Sequence, residues 1–90
     1  MAAPVDDYEI TPHAAFEMVR RRIAESVVHD ILASPQQRYP VRPGRDVLQS
    51  KLLIDGKNYL VRVLIDIDRA PAEVVTVYRT SQIVRYWRVL

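Results

Sequence analysis

The sequence predicts a single α+β domain in which two N-terminal helices cover one face of an antiparallel sheet of three to four strands. The chain has 90 residues, which is the size of one domain. Apolar residues recur at helical spacing up to residue 33 and alternate at strand spacing from residue 47 onward. The strand-like segments follow one another through short turns, which is typical of hairpins rather than of parallel strands joined by helices.

Two helices are predicted after a flexible lead-in of residues 1–9. A Thr-Pro pair at residues 11–12 supplies a capping side chain and a suitable first helical residue, so the first helix is placed at Pro12–Arg22. The apolar stripe then shifts phase, which indicates a break. The second helix is placed at Glu25–Ala33, because Pro35 disfavours helical backbone at the residue before it.

The segment between the helices and the sheet, residues 34–45, is predicted to be a basic loop with a short extended piece at residues 39–41. It contains three prolines and a glycine, which interrupt helices and central strands. Its cations are Arg38, Arg42 and Arg45. Loops of this kind can bind a ligand, and the alternative interpretation is a solvated connector.

The rest of the chain is predicted to form the sheet. Its three clear strands are Val47–Ile54, Tyr59–Ile67 and Glu73–Arg79. An Asp-Gly pair between the first two favours a tight hairpin. In the third strand, alternation puts Val77 with Val75, on the face opposite Val74. Residues 81–90 are aromatic and basic, and their pattern leaves open whether they form a short helix or a fourth strand.

Charge is unevenly distributed along the chain. The formal net charge is only +2, but three acids stand in the first ten residues, Asp6, Asp7 and Glu9. The rest of the chain carries 13 basic and 8 acidic residues, and its last twelve residues hold three arginines and no acid. A basic body is compatible with an anionic partner such as nucleic acid. The alternative is ordinary solubilising charge.

Several classes of function are not expected. The chain has no cysteine, so neither disulfides nor thiolate chemistry is available. The two histidines, His13 and His29, are sixteen residues apart without an acid at ligand spacing, so neither a metal nor another cofactor is expected. The acidic start does not resemble a secretory signal, and no apolar run approaches a membrane span. The sequence therefore predicts a cytoplasmic protein.

The first helix carries the main candidate for acid–base chemistry. Four residues at offsets of four, seven and eight share one flank of this helix: His13, Glu17, Arg20 and Arg21. An imidazole titrates near neutral pH, and a guanidinium grips phosphate with two hydrogen bonds. The pattern fits catalysis beside a phosphate, and the alternative is an ordinary charged helix surface.

The sheet adds a second set of candidate residues on the face away from the helices or on its rim. If the strands pair in order, Arg62 shares a face with Thr76 and Tyr78, and a nucleic-acid base can stack on such a surface. The residues of this set are Lys51, Arg62, Thr76, Tyr78 and Arg79. The alternative is that Thr76 and Tyr78 are ordinary strand formers.

The tail combines aromatic and basic residues. Tyr86 and Trp87 lie between Arg85 and Arg88. Proteins that bind single-stranded RNA use aromatic rings and arginines in this way. The alternative is that the two rings anchor the C-terminal segment to the core.

Two stretches resemble a bacterial family of small domains. The first is TPHAAFEMVRRRIAESVVHDILASP, in which the matching positions are His13, Met18, Arg21, Ile23 and Pro35. The second is VVTVYRTSQIVRYW, so the resemblance spans about residues 8–88. That family is similar in layout to the RelE-like and MqsR-like mRNA interferase toxins and to the colicin and barnase-type ribonucleases. The resemblance implies a curved antiparallel sheet, RNA cleavage without a metal, and a cognate antitoxin as partner.

Four residues fit the motifs of that family: His13 and Arg21 in the helix, Thr76 and Tyr78 in the strand. Two residues depart from it. Arg22 stands where glycine is usual, so the helix must end without a left-handed glycine. Glu17 stands where a basic residue is common, which lowers the positive potential beside His13. These departures bear on catalysis more than on fold.

The sequence thus favours a toxin-like, metal-independent endoribonuclease. His13 is the expected general acid or base, with Tyr78 as its partner. The expected phosphate- and RNA-binding residues are Arg21, Lys51, Arg62, Thr76 and Arg79. One alternative is a module of the same fold that binds RNA or a protein without catalysis. Another is a structural protein that dimerises through a free strand edge.

Overall fold

The structure is a computed structural model that describes residues 2–89, and its fold is α+β, as predicted. Met1 of the predicted lead-in and Leu90 of the predicted tail lie outside this range. The helices of the described range are α1 (Pro12–Arg20), α2 (Glu25–Ala33) and α3 (Ile83–Tyr86). The strands of the same range are β1 (Tyr8–Ile10), β2 (Gln37–Arg42), β3 (Arg45–Ile54), β4 (Lys57–Asp66) and β5 (Ala72–Thr80).

The strands form one mixed sheet with the order β1-β5-β4-β3-β2. β2 to β5 pair with their neighbours in antiparallel fashion, whereas β1 pairs with β5 in parallel. The prediction of a purely antiparallel sheet with three to four strands is therefore wrong in these details. The two strands that the pattern did not resolve lie at the sheet edges, where a short segment is held by its neighbour rather than by its own apolar alternation.

The edge strands come from the predicted lead-in and the predicted loop. The segment before β1 is itself hydrogen-bonded to the helical layer, since the backbone N–H of Val5 donates to the Leu32 carbonyl at 2.8 Å. β2 is longer than the extended piece expected within the loop, and it has a bulge after Pro40. Proline is tolerated in β2 because this strand is at an edge.

The helices begin where the sequence predicted. The Thr11 hydroxyl accepts a hydrogen bond from the backbone N–H of Ala14 at 3.2 Å and donates to the Val74 carbonyl at 2.9 Å, so it caps α1 and ties it to β5. α1 ends at Arg20, two residues before the predicted Arg22, and α2 has its predicted bounds. None of the helices in the described range is long and apolar enough to cross a membrane.

The main hydrophobic core lies between the helices and one face of the sheet. Its fully buried residues include Ala14, Val28, Leu32, Leu48, Val61, Val63, Ile65, Val74 and Val77. Val74 and Val77 both face this core, because Val75 is an extra residue in the pairing of β5 with β4. The predicted alternation, which put Val74 opposite Val77, is wrong at this bulge.

The opposite face of the sheet carries polar residues beneath the C-terminal segment. Gln49 is fully buried there, and only 6% of Arg62 is exposed. The residues after β5 form the single turn α3 and then run across this face, where the Tyr86 and Arg88 carbonyls accept hydrogen bonds from sheet side chains. The face away from the helices, which was expected to be open for function, is thus partly covered by the tail.

Candidate functional site

The end of α1 determines where three consecutive arginines point. The backbone N–H of Arg22 donates to the Val19 carbonyl at 3.2 Å, and that of Ile23 donates to the Met18 carbonyl at 2.9 Å. These are the two hydrogen bonds of a Schellman motif, in which the residue after the helix is left-handed. Arg22 has a φ of 54°, a conformation that glycine usually supplies. A charged side chain therefore occupies a position at which a small residue is the rule.

A shallow basin beside this turn is lined by Arg20, Arg21, Arg22 and Arg79, and we call it the arginine basin. Its volume is about 510 Å³. The end of α1 supplies the first three arginines, and β5 supplies Arg79. The Arg79 guanidinium also lies over the ring of Tyr59, 4.8 Å from the ring centroid. The contact between α1 and β5 therefore brings four cations to one surface.

One carboxylate balances part of this charge. Glu17 is 7% exposed, and its Oε2 atom lies 2.7 Å from Arg21 Nε, while its Oε1 atom lies 3.5 Å from Arg20 Nη1. Glu17 Oε2 accepts no well-aligned hydrogen bond from the described residues, so its contact with Arg21 is an ion pair only. Within residues 2–89, Arg22 and Arg79 have no ion-pair partner. The basin therefore keeps a net positive charge.

Tyr78 connects the basin to the second face of the sheet. Its ring centroid is 5.7 Å from the guanidinium carbon of Arg21 and 5.7 Å from that of Arg62. Its hydroxyl accepts a hydrogen bond from Arg62 Nη1 at 2.6 Å. Burial raises the pKa of the Tyr78 phenol and Tyr86 adds to the increase, although the Arg62 hydrogen bond acts in the opposite direction. The Tyr78 phenol therefore loses its proton less readily than the phenol of a free tyrosine.

Arg62 is held by neutral groups rather than by an acid. Its Nε donates to Gln49 Oε1 at 2.8 Å, and its Nη2 donates to the Tyr39 hydroxyl at 2.8 Å. Together with the bond to Tyr78, each guanidinium nitrogen has a neutral acceptor. No carboxylate among residues 2–89 forms an ion pair with Arg62. A nearly buried cation without an anion is unusual, because desolvation of a charge is costly unless the charge is paired.

Residues 83–89 form a strap across this face, which we call the C-terminal strap. The ring centroid of Tyr86 lies 4.3 Å from the Arg62 guanidinium carbon. The Tyr86 carbonyl accepts hydrogen bonds from the Tyr39 hydroxyl at 3.0 Å and from Gln49 Nε2 at 3.2 Å. Further along, the Arg88 guanidinium lies 3.8 Å from the Tyr39 ring centroid. The strap is therefore anchored to the sheet by polar and cation–π contacts, as the anchoring interpretation of the tail predicted, although on the polar face rather than on the main core.

The other predicted site residues lie apart from the basin. His13 is exposed on the first turn of α1, eight residues before Arg21, which corresponds to about 12 Å along the helix axis. Lys51 is exposed beside the strap, with its ammonium 3.9 Å from the ring centroid of Trp87. Thr76 is half-buried and pairs with Leu64 of β4. The structure thus brings Arg21 and Arg79 into the basin and places Tyr78 between Arg21 and Arg62. His13, Lys51 and Thr76 lie outside the basin.

The arginines of the predicted basic loop are mostly neutralised. Arg38 Nε donates to Asp46 Oδ2 at 2.8 Å, and Arg45 forms a two-pronged hydrogen bond with Asp66. The Arg45 guanidinium holds the pKa of the Asp66 carboxyl below its usual value. Arg42 is exposed and has no ion pair within the described residues. Much of this segment is therefore an ion-paired edge strand rather than a basic loop.

Sequence reasoning did not include several residues of these two surfaces. Arg22 was noted only as a departure from glycine, although three consecutive arginines at a helix end were a visible signal. Gln49 stands between Leu48 and Ser50 in β3, and its side chain is buried. A buried amide in a strand indicates a network of polar side chains around it. Tyr39 carried no sequence signal, because its role depends on β2 pairing with β3.

Comparison with known proteins assigns most of the chain to one family. Its model matches residues 10–79, more than three quarters of the sequence, and it is described as Domain of unknown function (DUF4258). No curated protein and no solved structure matches the chain. The match includes the arginine basin as well as Arg62 and Tyr78, whereas the C-terminal strap follows it.

Proposed function

This chain belongs to the DUF4258 family of domains of unknown function, and we propose that it binds RNA by holding the phosphate backbone in the arginine basin. The observation that carries this proposal is that four guanidinium groups line one basin in which Glu17 is the contacting carboxylate. Guanidinium groups match the geometry of phosphate oxygens and form two parallel hydrogen bonds with them. The phosphate backbone of a nucleic acid can contact several guanidinium groups at once.

The backbone geometry at the basin supports this interpretation. The left-handed conformation of Arg22 is unfavourable for a residue with a Cβ atom, and glycine would end α1 at lower cost. A residue whose backbone conformation is unfavourable for its type is more often found where its side chain has a function. Tyr59 and Tyr78 lie beside Arg79 and Arg21, so aromatic faces are available next to the cations.

Binding is tested with a short fluorescein-labelled single-stranded RNA, by anisotropy, at salt concentrations between about 50 and 200 mM. The Arg22→Gln, Arg79→Gln variant is expected to bind about tenfold or more weakly than wild type. The slope of log affinity against log salt should become shallower by about 1.4, since each lost phosphate contact in a single strand contributes about 0.7.

The matched control is Arg42→Gln, which removes one positive charge from an exposed arginine on β2. It should change RNA affinity by much less than either single basin substitution. RNA binding that is absent, or that is reduced equally by Arg42→Gln and by Arg79→Gln, would argue that the basin does not hold RNA.

A second candidate function is metal-independent RNA cleavage, which the resemblance to mRNA interferase toxins implies. The observation in its favour is Tyr78, whose ring lies against Arg21 at the edge of the basin and whose hydroxyl is hydrogen-bonded to Arg62. In this reaction the 2′-hydroxyl attacks the adjacent phosphorus and forms a 2′,3′-cyclic phosphate, while the leaving 5′-oxygen takes the Tyr78 proton. His13 is about two helical turns from Arg21, so water is a better acceptor for the 2′-hydroxyl proton.

Cleavage is tested with 5′-labelled RNA in the presence of EDTA, by separating the products and identifying cyclic-phosphate ends. Wild type should produce such ends, Tyr78→Phe should produce them at least about a hundredfold more slowly, and His13→Ala should remain active. If wild type binds the RNA without cutting it, binding stands alone as the function. If Tyr78→Phe cuts as fast as wild type, Tyr78 is not the acid.

A further inference from the structure

We infer that the C-terminal strap occupies a nucleotide-binding site centred on Arg62, and that RNA displaces the strap when a base and its phosphate enter this site. This inference rests on the proposed RNA binding and adds a second, covered site to it. The site consists of Arg62, Tyr39, Gln49 and Tyr78, and the strap residue that occupies it is Tyr86.

The first argument is the charge of Arg62. Only 6% of this residue is exposed, and its three guanidinium nitrogens donate to the neutral oxygens of Gln49, Tyr39 and Tyr78. A guanidinium has five N–H groups, so three hydrogen bonds leave donors available. The strap supplies an aromatic ring to this cation but, within residues 83–89, no acid. A nucleotide would supply a ring and an anion together, and would satisfy the buried charge better.

The second argument is the chemistry of the present occupant. The Tyr86 ring lies 4.3 Å from the Arg62 guanidinium, and the Tyr86 carbonyl accepts hydrogen bonds from Tyr39 and Gln49. A flat ring against a guanidinium, combined with a carbonyl that accepts two side-chain bonds, is how proteins hold an unpaired RNA base. The Tyr86 ring and the Tyr86 backbone carbonyl therefore occupy two kinds of contact, stacking on a guanidinium and accepting side-chain hydrogen bonds, that an RNA base also makes.

The third argument is that polar and cation–π contacts, rather than buried apolar side chains, hold the strap. α3 contains no buried residue, and the strap residues Val84 and Val89 are 92% and 91% exposed. The family match ends at residue 79, so the residues around Arg62 lie within the matched domain and the strap does not. Its displacement would leave the main core intact, because that core lies on the other face of the sheet.

Trp87 is the single tryptophan of the chain and reports on the position of the strap. The full-length protein is titrated with each of the four nucleoside 5′-monophosphates, and tryptophan emission is recorded with inner-filter correction. At least one nucleotide should shift the emission maximum to longer wavelength, because the indole leaves Lys51 and enters water. Inorganic phosphate at the same concentration should not. An equal shift with phosphate, or no shift with any nucleotide, overturns the inference.

The second measurement is calorimetry on Tyr86→Ala. Loss of the competing ring should make the responsive nucleotide bind up to about tenfold more tightly, a factor that corresponds to the loss of one cation–π contact. Unchanged or weaker binding overturns the inference, because Tyr86 would then not compete for the site. Arg62→Met should abolish nucleotide binding if this variant folds. If Arg62→Met does not fold, the affinity of Tyr86→Ala alone tests whether Tyr86 competes with nucleotide.

The two proposals fail in different ways. The Arg22→Gln, Arg79→Gln variant should bind RNA about tenfold or more weakly but keep the nucleotide-induced emission shift, since its substitutions are outside the Arg62 site. RNA binding without any emission shift would support the arginine basin and contradict the strap inference. An emission shift with nucleotide but no RNA binding would support the nucleotide site and contradict the proposed function.

Discussion

Gly44 lies against the side chain of Asp68, so closely that a Cβ atom added at Gly44 would be 2.9 Å from Asp68 Oδ2. Gly44 also has a φ of +79°, and its carbonyl accepts a hydrogen bond from the backbone N–H of Ile67 at 2.9 Å. The turn between β2 and β3 is thereby tied to the end of β4. Both the backbone conformation and the close approach require glycine at this position.

The two glycines of the chain allow a matched test of this requirement. Gly56 has the same φ of +79°, but nothing lies within 4 Å of the position of an added Cβ. Gly56→Ala should lower the free energy of unfolding by about 1 kcal/mol, the cost of a left-handed alanine. Gly44→Ala should lower it by about 1 kcal/mol more, because Asp68 must also move. Urea denaturation measures both, and equal losses would contradict the argument.

Arg22→Gly should stabilise the domain while it weakens RNA binding. Glycine removes the left-handed strain at the end of α1, and its larger entropy in the unfolded chain offsets part of the gain, so we expect about 0.5–1 kcal/mol. Arg22→Ala is the control, since it removes the same charge but keeps the strain. Thermal denaturation should show a higher midpoint for Arg22→Gly than for Arg22→Ala, and the opposite order would contradict the interpretation of Arg22.

Asp66 should make the stability of the domain sensitive to acid. Its folded-state pKa is lowered, chiefly by the hydrogen bonds from Arg45, so its contribution is fully present above its unfolded pKa and is lost as pH falls through the folded value. The loss therefore lies below about pH 4. Asp66→Asn should lower the free energy of unfolding by about 1–2 kcal/mol at pH 7 and by progressively less as the pH falls below about 4.

The control for this substitution is Asp68→Asn, which changes the same charge at an exposed carboxylate. Its effect should be small and nearly independent of pH, since surface ion pairs contribute about 0–1 kcal/mol. Urea denaturation over a pH series compares the two variants. A pH-independent loss for Asp66→Asn would show that the Arg45 ion pair does not carry the effect.

Tyr78 should make the domain sensitive to alkali. Its folded-state pKa is raised, so its contribution is fully present below the unfolded value of about 10 and is lost as pH rises through the folded value. Tyr78→Phe should lower the free energy of unfolding by about 1–3 kcal/mol at pH 8, because Arg62 loses a hydrogen-bond acceptor. The variant should then lose less additional stability than wild type between pH 8 and 11.

Tyr59→Phe serves as the control for the alkaline experiment. Its hydroxyl has no hydrogen bond within the described residues, and its ring remains available to Arg79. It should follow the wild-type pH dependence closely. If Tyr78→Phe and Tyr59→Phe have the same pH profile, the buried phenol is not the source of the alkaline loss.

The candidate site was predictable only in part. Alternation in β4 put Arg62 on the face away from the helices, and the observed register does pair it with Tyr78. The sequence could not show that the strap would cover this pair, because residues 83–89 have no strong pattern of their own. Nor could helical offsets show that His13 would lie apart from Tyr78, since offsets define a shared flank and not a shared cavity.

Local physical chemistry determined the α+β class, the start of both long helices and the three central strands, because capping, apolar periodicity and turn residues act over a few neighbours. Tertiary structure alone decided the parallel pairing of β1, the bulge at Val75 and the ion pairs that neutralise the loop arginines. It also decided that Arg79 joins the α1 arginines in one basin. Each of these depends on which distant segments come into contact, and that is determined by burial of the whole chain rather than by the order of adjacent residues.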